Sequence, residues 1–185
     1  MKKLLVVLTM IVGLKVTYSQ EVNFGIKTGL NLSSITGKTN EQKGFFPGGH
    51  FGILVEIPIS SKISFQPELM YSAQGYNSKN KGLVPTAYIN MPLMGKYYLS
   101  EKFSLEAGPQ IGFLPEKTND TFNAIDFGFN FGISYKFNNN FNCGLRYNVG
   151  LNNTNTVENN KNRVLQFSIG YFFSKKKKRQ LFDFN

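Results

Sequence analysis

The chain has 185 residues, of which 18 are glycine, 18 phenylalanine and 9 tyrosine, with no tryptophan and a formal net charge of +10. This length suits one domain with an adequate core, and the glycine and aromatic content favours a β protein over a helical one. Cys143 is the only cysteine, so an internal disulfide is excluded and the fold must be stable without one.

The first 19 residues have the pattern of an export signal. Two lysines precede the apolar stretch 4–14, and Thr17 and Ser19 stand where small residues precede signal cleavage. The stretch is shorter than the ~20 residues of a membrane-spanning helix, so an uncleaved anchor is the weaker alternative. We therefore expect residues 1–19 to be a signal peptide and Gln20 to begin the mature protein.

The positive charge is concentrated at the two ends of the chain. Residues 20–174 hold 13 basic and 10 acidic residues, and a further basic run lies in the C-terminal tail 175–185. An exported protein with a mildly basic body is not expected to bind nucleic acid. The tail is either simply solvated or attracted to anionic headgroups.

Eight segments of the chain alternate between apolar and polar side chains, which is the period of a β-strand. Most are 10 to 13 residues long. A soluble strand has about 5 to 6 residues, whereas a tilted membrane-spanning strand needs about 9 to 11. In chain order the predicted strands are 22–33, 48–57, 63–74, 87–99, 103–114, 125–137, 141–151 and 164–173.

The connections between these segments alternate between long and short. The sequences PISSK, SEK and NNN form the short connections, and longer polar stretches lie between them. Short turns on one rim and long loops on the other are typical of outer-membrane barrels. We therefore predict an all-β fold over residues 20–174, an eight-stranded antiparallel up-and-down transmembrane β-barrel with both termini at the short-turn rim.

Bulky apolar residues occupy one face of each predicted strand, and small or polar residues occupy the other. An eight-stranded barrel has an interior only just wide enough for side chains, so rings of aromatic residues would overfill it. The bulky face is therefore predicted to contact lipid. At the short-turn rim this face presents a predicted aromatic girdle of Tyr97, Phe103, Phe137, Phe141 and Phe173.

The opposite face carries charges of both signs, which are then predicted to lie inside the barrel. Buried charges are costly unless they are paired, so this mixture indicates an ion-paired plug and argues against a wide pore. The predicted interior network consists of Lys27, Glu56, Glu68, Lys96, Glu106, Lys136 and Arg146.

His50 is the only histidine and lies on the second predicted strand, near the long-loop rim. With only scattered serines elsewhere, we interpret it as a hydrogen-bonded interior residue and predict no catalytic residues. The sequence shows no cluster of metal ligands and no phosphate-binding loop, so no metal or cofactor is predicted.

Several stretches resemble one known family. They are FQPELMYSAQGY (65–76), YINMPLMGKYYLSEKFSLEAGPQIGFL (88–114), GISYKFNNNFNCGLRYNVGL (132–151) and KNRVLQFSIGYFF (161–173). They are similar to the PorT-like family of outer-membrane β-barrel proteins. This resemblance implies an eight-stranded barrel in the outer membrane of a Gram-negative bacterium and carries over no catalytic residues. The tail after Ser174 departs from barrels of this class, which commonly end at an aromatic residue of the last strand.

The sequence leaves three functions open. The first is a structural or interaction barrel that presents surface loops, and the second is an accessory component of a secretion or envelope-assembly complex, as for some PorT-like relatives. The third is a soluble lipocalin-like periplasmic carrier, which would need an apolar cavity. The expected partners are outer-membrane lipid and, for the second function, other envelope proteins. We expect a monomer that is not an enzyme.

Overall fold

The computed structural model describes residues 22–37, 44–78, 82–115, 124–153 and 160–173. The predicted signal peptide and C-terminal tail lie outside these ranges. Within them no helix is long and apolar enough to cross a membrane. The strands are β1 (Asn23–Gly37), β2 (Phe46–Pro58), β3 (Ile63–Ser78), β4 (Gly82–Tyr98), β5 (Phe103–Phe113), β6 (Ile125–Lys136), β7 (Phe141–Gly150) and β8 (Asn160–Phe172).

The eight strands form a closed barrel in sequence order. Each strand pairs antiparallel with its neighbours, and β1 closes the barrel against β8 through the register Lys27↔Gly170. Closure removes the free strand edges, which a bilayer cannot solvate. The predicted eight-stranded up-and-down barrel is confirmed.

Some strands extend further toward the long loops than the sequence pattern predicted. β1 continues to Gly37 and pairs there with Asn160, so β8 begins four residues before the predicted position 164. β4 likewise begins at Gly82, whereas position 87 was predicted. These ends were missed because backbone pairing needs no apolar side chains, and the alternation fades where the strands leave the apolar band.

The three described short turns share one construction. The backbone amides of Ile59, Leu99 and Phe137 donate to the carbonyl oxygens of Ile63, Phe103 and Phe141 at 2.9 to 3.0 Å. The side chains of Ser60, Ser100 and Asn138 accept a hydrogen bond from the amide three residues further on. Small polar side chains of this kind satisfy turn amides locally, so the hairpins close with very few residues.

Three prolines interrupt the hydrogen-bonded ladder on adjacent strands. Pro67 lies on β3, Pro92 on β4 and Pro109 on β5, and the paired register between these strands is broken next to each of them. Proline has no amide hydrogen to donate, so a gap in the ladder is the expected result.

The two faces of the wall have opposite chemistry. On β5 the side chains of Ser104, Glu106 and Gln110 are buried, while Leu105 and Pro109 are exposed. The same alternation leaves large apolar residues exposed on the outer face of every strand, and most buried side chains are polar. This is the reverse of a water-soluble barrel, and it is what a wall surrounded by hydrocarbon requires.

We expect a charge on the outer face to destabilise the barrel according to its depth. Phe129→Lys, near the middle of β6, should lower the free energy of unfolding in lipid bilayers by about 2 to 4 kcal/mol. Ile125→Lys is the matched control, since it lies at the loop end of the same strand and should cost about 0 to 1 kcal/mol. Denaturant titration of the refolded protein in lipid measures both. Equal costs at the two positions would contradict the assignment of the outer face.

Candidate functional site

Four charged side chains meet at the centre of the barrel and form what we call the central ion cluster: Lys27, Glu68, Glu106 and Arg146. They come from β1, β3, β5 and β7, so every second strand contributes one. Since consecutive inward positions on a strand are two residues apart, side chains of alternate strands can form one layer across the lumen. All four residues are buried.

Arg146 holds this cluster together. Its Nη1 and Nη2 atoms donate to the two carboxylate oxygens of Glu68 at 3.0 and 2.9 Å. Its Nε atom donates to Glu106 Oε1 at 3.0 Å, and its Nη2 atom lies 2.9 Å from the same oxygen. The fork of the guanidinium thus binds one carboxylate in a bidentate manner while reaching the second, a geometry that lysine could not reproduce.

Glu68 is the most highly coordinated acid of the cluster. Besides Arg146, its Oε1 atom accepts hydrogen bonds from Lys27 Nζ and Gln66 Nε2, each at 2.6 Å. Gln66 in turn accepts from Lys96 Nζ through Oε1 at 3.2 Å. The cluster contains two cations and two anions, so its charges balance within the buried layer.

Glycines beside these long side chains make room for them. Gly52 and Gly170 pair with Lys27 on either side, and Gly132 lies between Glu106 and Arg146. A Cβ atom at Gly132 would overlap the Leu145 carbonyl oxygen and lie 3.3 Å from Arg146 Cβ. The absence of a side chain there lets the arginine cross the lumen.

A second, smaller group of charged residues lies on the short-turn side of the central ion cluster. Lys136 Nζ is 3.6 Å from Glu56 Oε2, and the Tyr98 hydroxyl donates to Glu56 Oε1. Lys136 Nζ also lies 4.5 Å from the centre of the Tyr98 ring, while Lys96 Nζ lies 5.8 Å from it. Lys96 therefore connects the two groups. The seven residues of the predicted interior network occupy one continuous polar column.

His50 lies on the loop side of the central ion cluster. Its Nδ1 atom is 2.7 Å from Asn31 Oδ1, and its Nε2 atom is 2.9 Å from Ser168 Oγ. Since an amide oxygen can only accept, Nδ1 carries the proton and Nε2 accepts from the serine hydroxyl. The partners of His50 could not be predicted from the sequence, because the three residues come from β2, β1 and β8 and meet only when the barrel closes.

Serine, histidine and asparagine in this order have the connectivity of a nucleophile, a base and an orienting group. A hydrolase also needs space for its substrate next to the serine. Ser168 is buried in the lumen, and the cavity beside it has a volume of about 10 Å³. A volume of that size holds about one water molecule, so no acyl substrate fits there.

The lumen has little free space around the central ion cluster. One cavity lies on its loop side between His50, Asn90 and Gln110, and another lies on its short-turn side between Ser134 and Asn142. Each has a volume of about 10 Å³. Over the described ranges, no group of three or more histidine, cysteine, aspartate or glutamate side chains could hold a metal ion.

The predicted girdle residues lie around the short-turn end of the outer face. Tyr97, Phe137, Phe141 and Phe173 are exposed there, and Phe103 is half-buried. The ring centres of Phe141 and Tyr171 are 4.9 Å apart, and those of Tyr171 and Phe173 are 5.5 Å apart. These aromatic contacts lie where β7 begins and β8 ends.

Residues 18–156 match the family described as outer membrane protein beta-barrel domain. The chain belongs to this family. It is thus a small eight-stranded barrel of the outer membrane, where its wall lies in the lipid bilayer. No curated protein matches the chain in sequence.

Solved barrels share the fold at low sequence identity. Neisserial surface protein A is 16% identical with a TM-score of 0.58, and the match covers 82% of this chain and 98% of that protein. The Yersinia pestis outer membrane protein Ail in a phospholipid nanodisc is 14% identical with a TM-score of 0.51, and the match covers 83% of this chain and 100% of that protein. The outer membrane protein AlkL is 14% identical with a TM-score of 0.50, covering 85% and 92%.

We expect Arg146→Gln to be strongly destabilising, because it leaves Glu68 and Glu106 without their shared cation. The free energy of unfolding should fall by about 3 to 5 kcal/mol, as when one partner of a buried ion pair is removed. Arg163→Gln is the matched control. Its guanidinium lies on the outer side of β8 and, among the described residues, donates to the backbone carbonyls of Gly150 and Asn162, so a loss of at most about 1 kcal/mol is expected. Equal losses in a denaturant titration would show that the cluster does not stabilise the barrel.

The glycine beside Arg146 offers a test of packing in the lumen. Gly132→Ala should destabilise the barrel by about 1 to 3 kcal/mol, because the added methyl group overpacks the wall next to the arginine. Gly95→Ala serves as the control on the outer face, where the nearest atom to a new Cβ is 3.6 Å away. Gly95→Ala should change the denaturant midpoint of unfolding little. A larger loss of stability in Gly95→Ala than in Gly132→Ala would refute the packing argument.

Proposed function

We propose that this protein is a non-conducting structural barrel, a rigid outer-membrane anchor that presents its long-loop end for interaction. The observation that carries the proposal is the position of Arg146, which reaches from β7 across the lumen to Glu68 on β3. These strands lie on opposite sides of an eight-membered ring. The bond between them therefore occupies the axis along which a solute would pass.

The polar interior supports this function over transport and over catalysis. A conducting lumen needs a continuous water-filled path, whereas the cavities on either side of the central ion cluster each have a volume of about 10 Å³. A lipocalin-like carrier would need an apolar cavity, and the residues facing this lumen are mainly polar. An enzyme would need access to the serine beside His50, which the packed lumen denies.

As part of the same proposal, we assign the protein to the PorT-like barrels of Gram-negative bacteria. Support comes from the motifs that carry the resemblance. The Pro67-Glu68 pair directs proline outward and glutamate into the central ion cluster, and the segment around Glu106 and Pro109 repeats that arrangement on β5. These motifs therefore supply the two carboxylates of the central ion cluster and two of the prolines that interrupt the strand ladder.

The orientation that we propose places the short turns in the periplasm and the long connections outside the cell, as in other outer-membrane barrels. Residues 1–19 would then be removed on export, and the basic tail 175–185 would lie in the periplasm. The girdle would lie at the inner membrane–water interface, where aromatic residues are enriched. The protein would act as a monomer with lipid around its whole wall.

Planar-bilayer recording tests the closed lumen. We expect wild-type protein to insert without producing conductance steps. The double variant Glu68→Ala/Arg146→Ala removes both side chains that meet on the barrel axis, and it should produce discrete steps because water can then fill the lumen. Insertion and closure are checked by the heat-modifiable band on an unboiled gel.

The double variant Lys161→Ala/Arg163→Ala provides the control for this recording. It removes two charges from the outer side of β8 and should remain silent like the wild type. Conductance by the wild-type barrel, at a level similar to that of the lumen variant, would contradict the proposed function and favour a pore.

A further inference from the structure

Asp126 differs from the other buried acids of the lumen. It lies at the start of β6 near the long-loop end and is 6% exposed. Its Oδ2 atom accepts one hydrogen bond from Asn162 Nδ2 at 3.3 Å, while its Oδ1 atom has no hydrogen-bond partner in the described part of the chain. Glu56, Glu68 and Glu106 each pair with a lysine or arginine, but the same ranges give Asp126 no such cation.

A glycine lies between Asp126 and Asn90 on the intervening strand β5. Gly112 pairs with both Asn90 and Asp126 on the two neighbouring strands. A Cβ atom at Gly112 would lie 2.6 Å from Asn90 Oδ1, 3.5 Å from Asp126 Cβ and 3.5 Å from Tyr88 Cδ1. The amide oxygen of Asn90 and the Cβ atom of Asp126 therefore both border the volume that a side chain at position 112 would fill.

An ionised carboxylate in this position needs positive charge. Burial without a partner is costly, and one neutral amide donor compensates only part of the loss of hydration. Carboxylate and amide oxygens together with water are the ligands that Ca²⁺ takes in proteins. Asp126 is the second residue of β6, at the end of the strand that follows a long connection.

We propose that Asp126 and Asn90 bind a divalent cation of the Ca²⁺ class at the loop-side end of the lumen. Asp126 supplies the charge, Asn90 Oδ1 supplies a second ligand, and water completes the coordination. Asn162 Nδ2 donates to the carboxylate at Oδ2, and the Tyr88 ring borders the same volume. With one carboxylate, the site should have an affinity of about 0.1 to 1 mM, as in weak extracellular calcium sites.

Thermal unfolding of the full-length protein in a zwitterionic detergent tests the site. After treatment with a chelator, wild type is titrated with CaCl₂ against choline chloride at equal ionic strength. At roughly ten times the dissociation constant the midpoint should rise by about 3 to 6 °C. Asp126→Asn, which removes a buried charge and should still fold, should show no such rise. Glu101→Gln is the control for an exposed acid at the short-turn end, and it should respond like the wild type.

Terbium provides a second measurement that reports location. Tb³⁺ binds at calcium sites and emits when a nearby tyrosine absorbs light, and the chain has no tryptophan to compete. We expect emission from wild type that Ca²⁺ displaces and that Tyr88→Phe largely removes. Asn90→Ser should weaken Ca²⁺ binding several-fold while the barrel remains heat-modifiable.

Two results would overturn the proposal. An equal response to Ca²⁺ in wild type and Asp126→Asn would place calcium elsewhere and exclude Asp126 as a ligand. Terbium emission that persists in both Tyr88→Phe and Asp126→Asn would likewise place the ion away from the lumen.

Discussion

The guanidinium of Arg146 connects two carboxylates across a lumen that has almost no space for water, and the rest of the structure depends on this contact. An eight-stranded ring encloses only enough volume for side chains, so the charges of the central ion cluster must find their counter-charges on other strands. The glycines beside Lys27 and Arg146 follow from this constraint, because two long side chains cannot lie next to each other in so narrow a space. The polar column continues from the central ion cluster to Glu56 on the short-turn side and to His50 on the loop side.

The polar interior also determines the chemistry of the outer face, since successive side chains on each strand alternate between the two faces. Once polar residues occupy the interior, the positions between them must be apolar, and hydrocarbon is the solvent that accepts them. The proline gaps on β3, β4 and β5 are tolerated because interior side chains and the remaining ladder hold those strands. On the other side of the barrel, aromatic rings of β6, β7 and β8 contact one another.

The architecture could be predicted from the sequence because a period of two residues persists over eight long segments. The same period placed Lys27, Glu68 and Arg146 on one face, although it could not show which acid the arginine would bind. The pairing of Arg146 with Glu68 and Glu106 depends on the relative stagger of strands that are distant in sequence. Asp126 was missed because one acid at the beginning of a strand resembles a loop residue, and the contacts of His50 exist only after closure. The strand ends near Gly37 and Asn160 were missed because they carry no alternation.

The central ion cluster joins β1, β3, β5 and β7, and this has a consequence for the order of assembly. If strands enter the membrane in sequence, Lys27 and Glu68 can meet early, but Glu106 has no arginine until β7 is in place. A partly assembled sheet must therefore keep its future interior hydrated, on the side away from lipid. Expulsion of that water and neutralisation of the last acid coincide with the entry of the penultimate strand. The cluster thus makes the entry of β7 a cooperative step, since its charges balance only when seven of the eight strands are present.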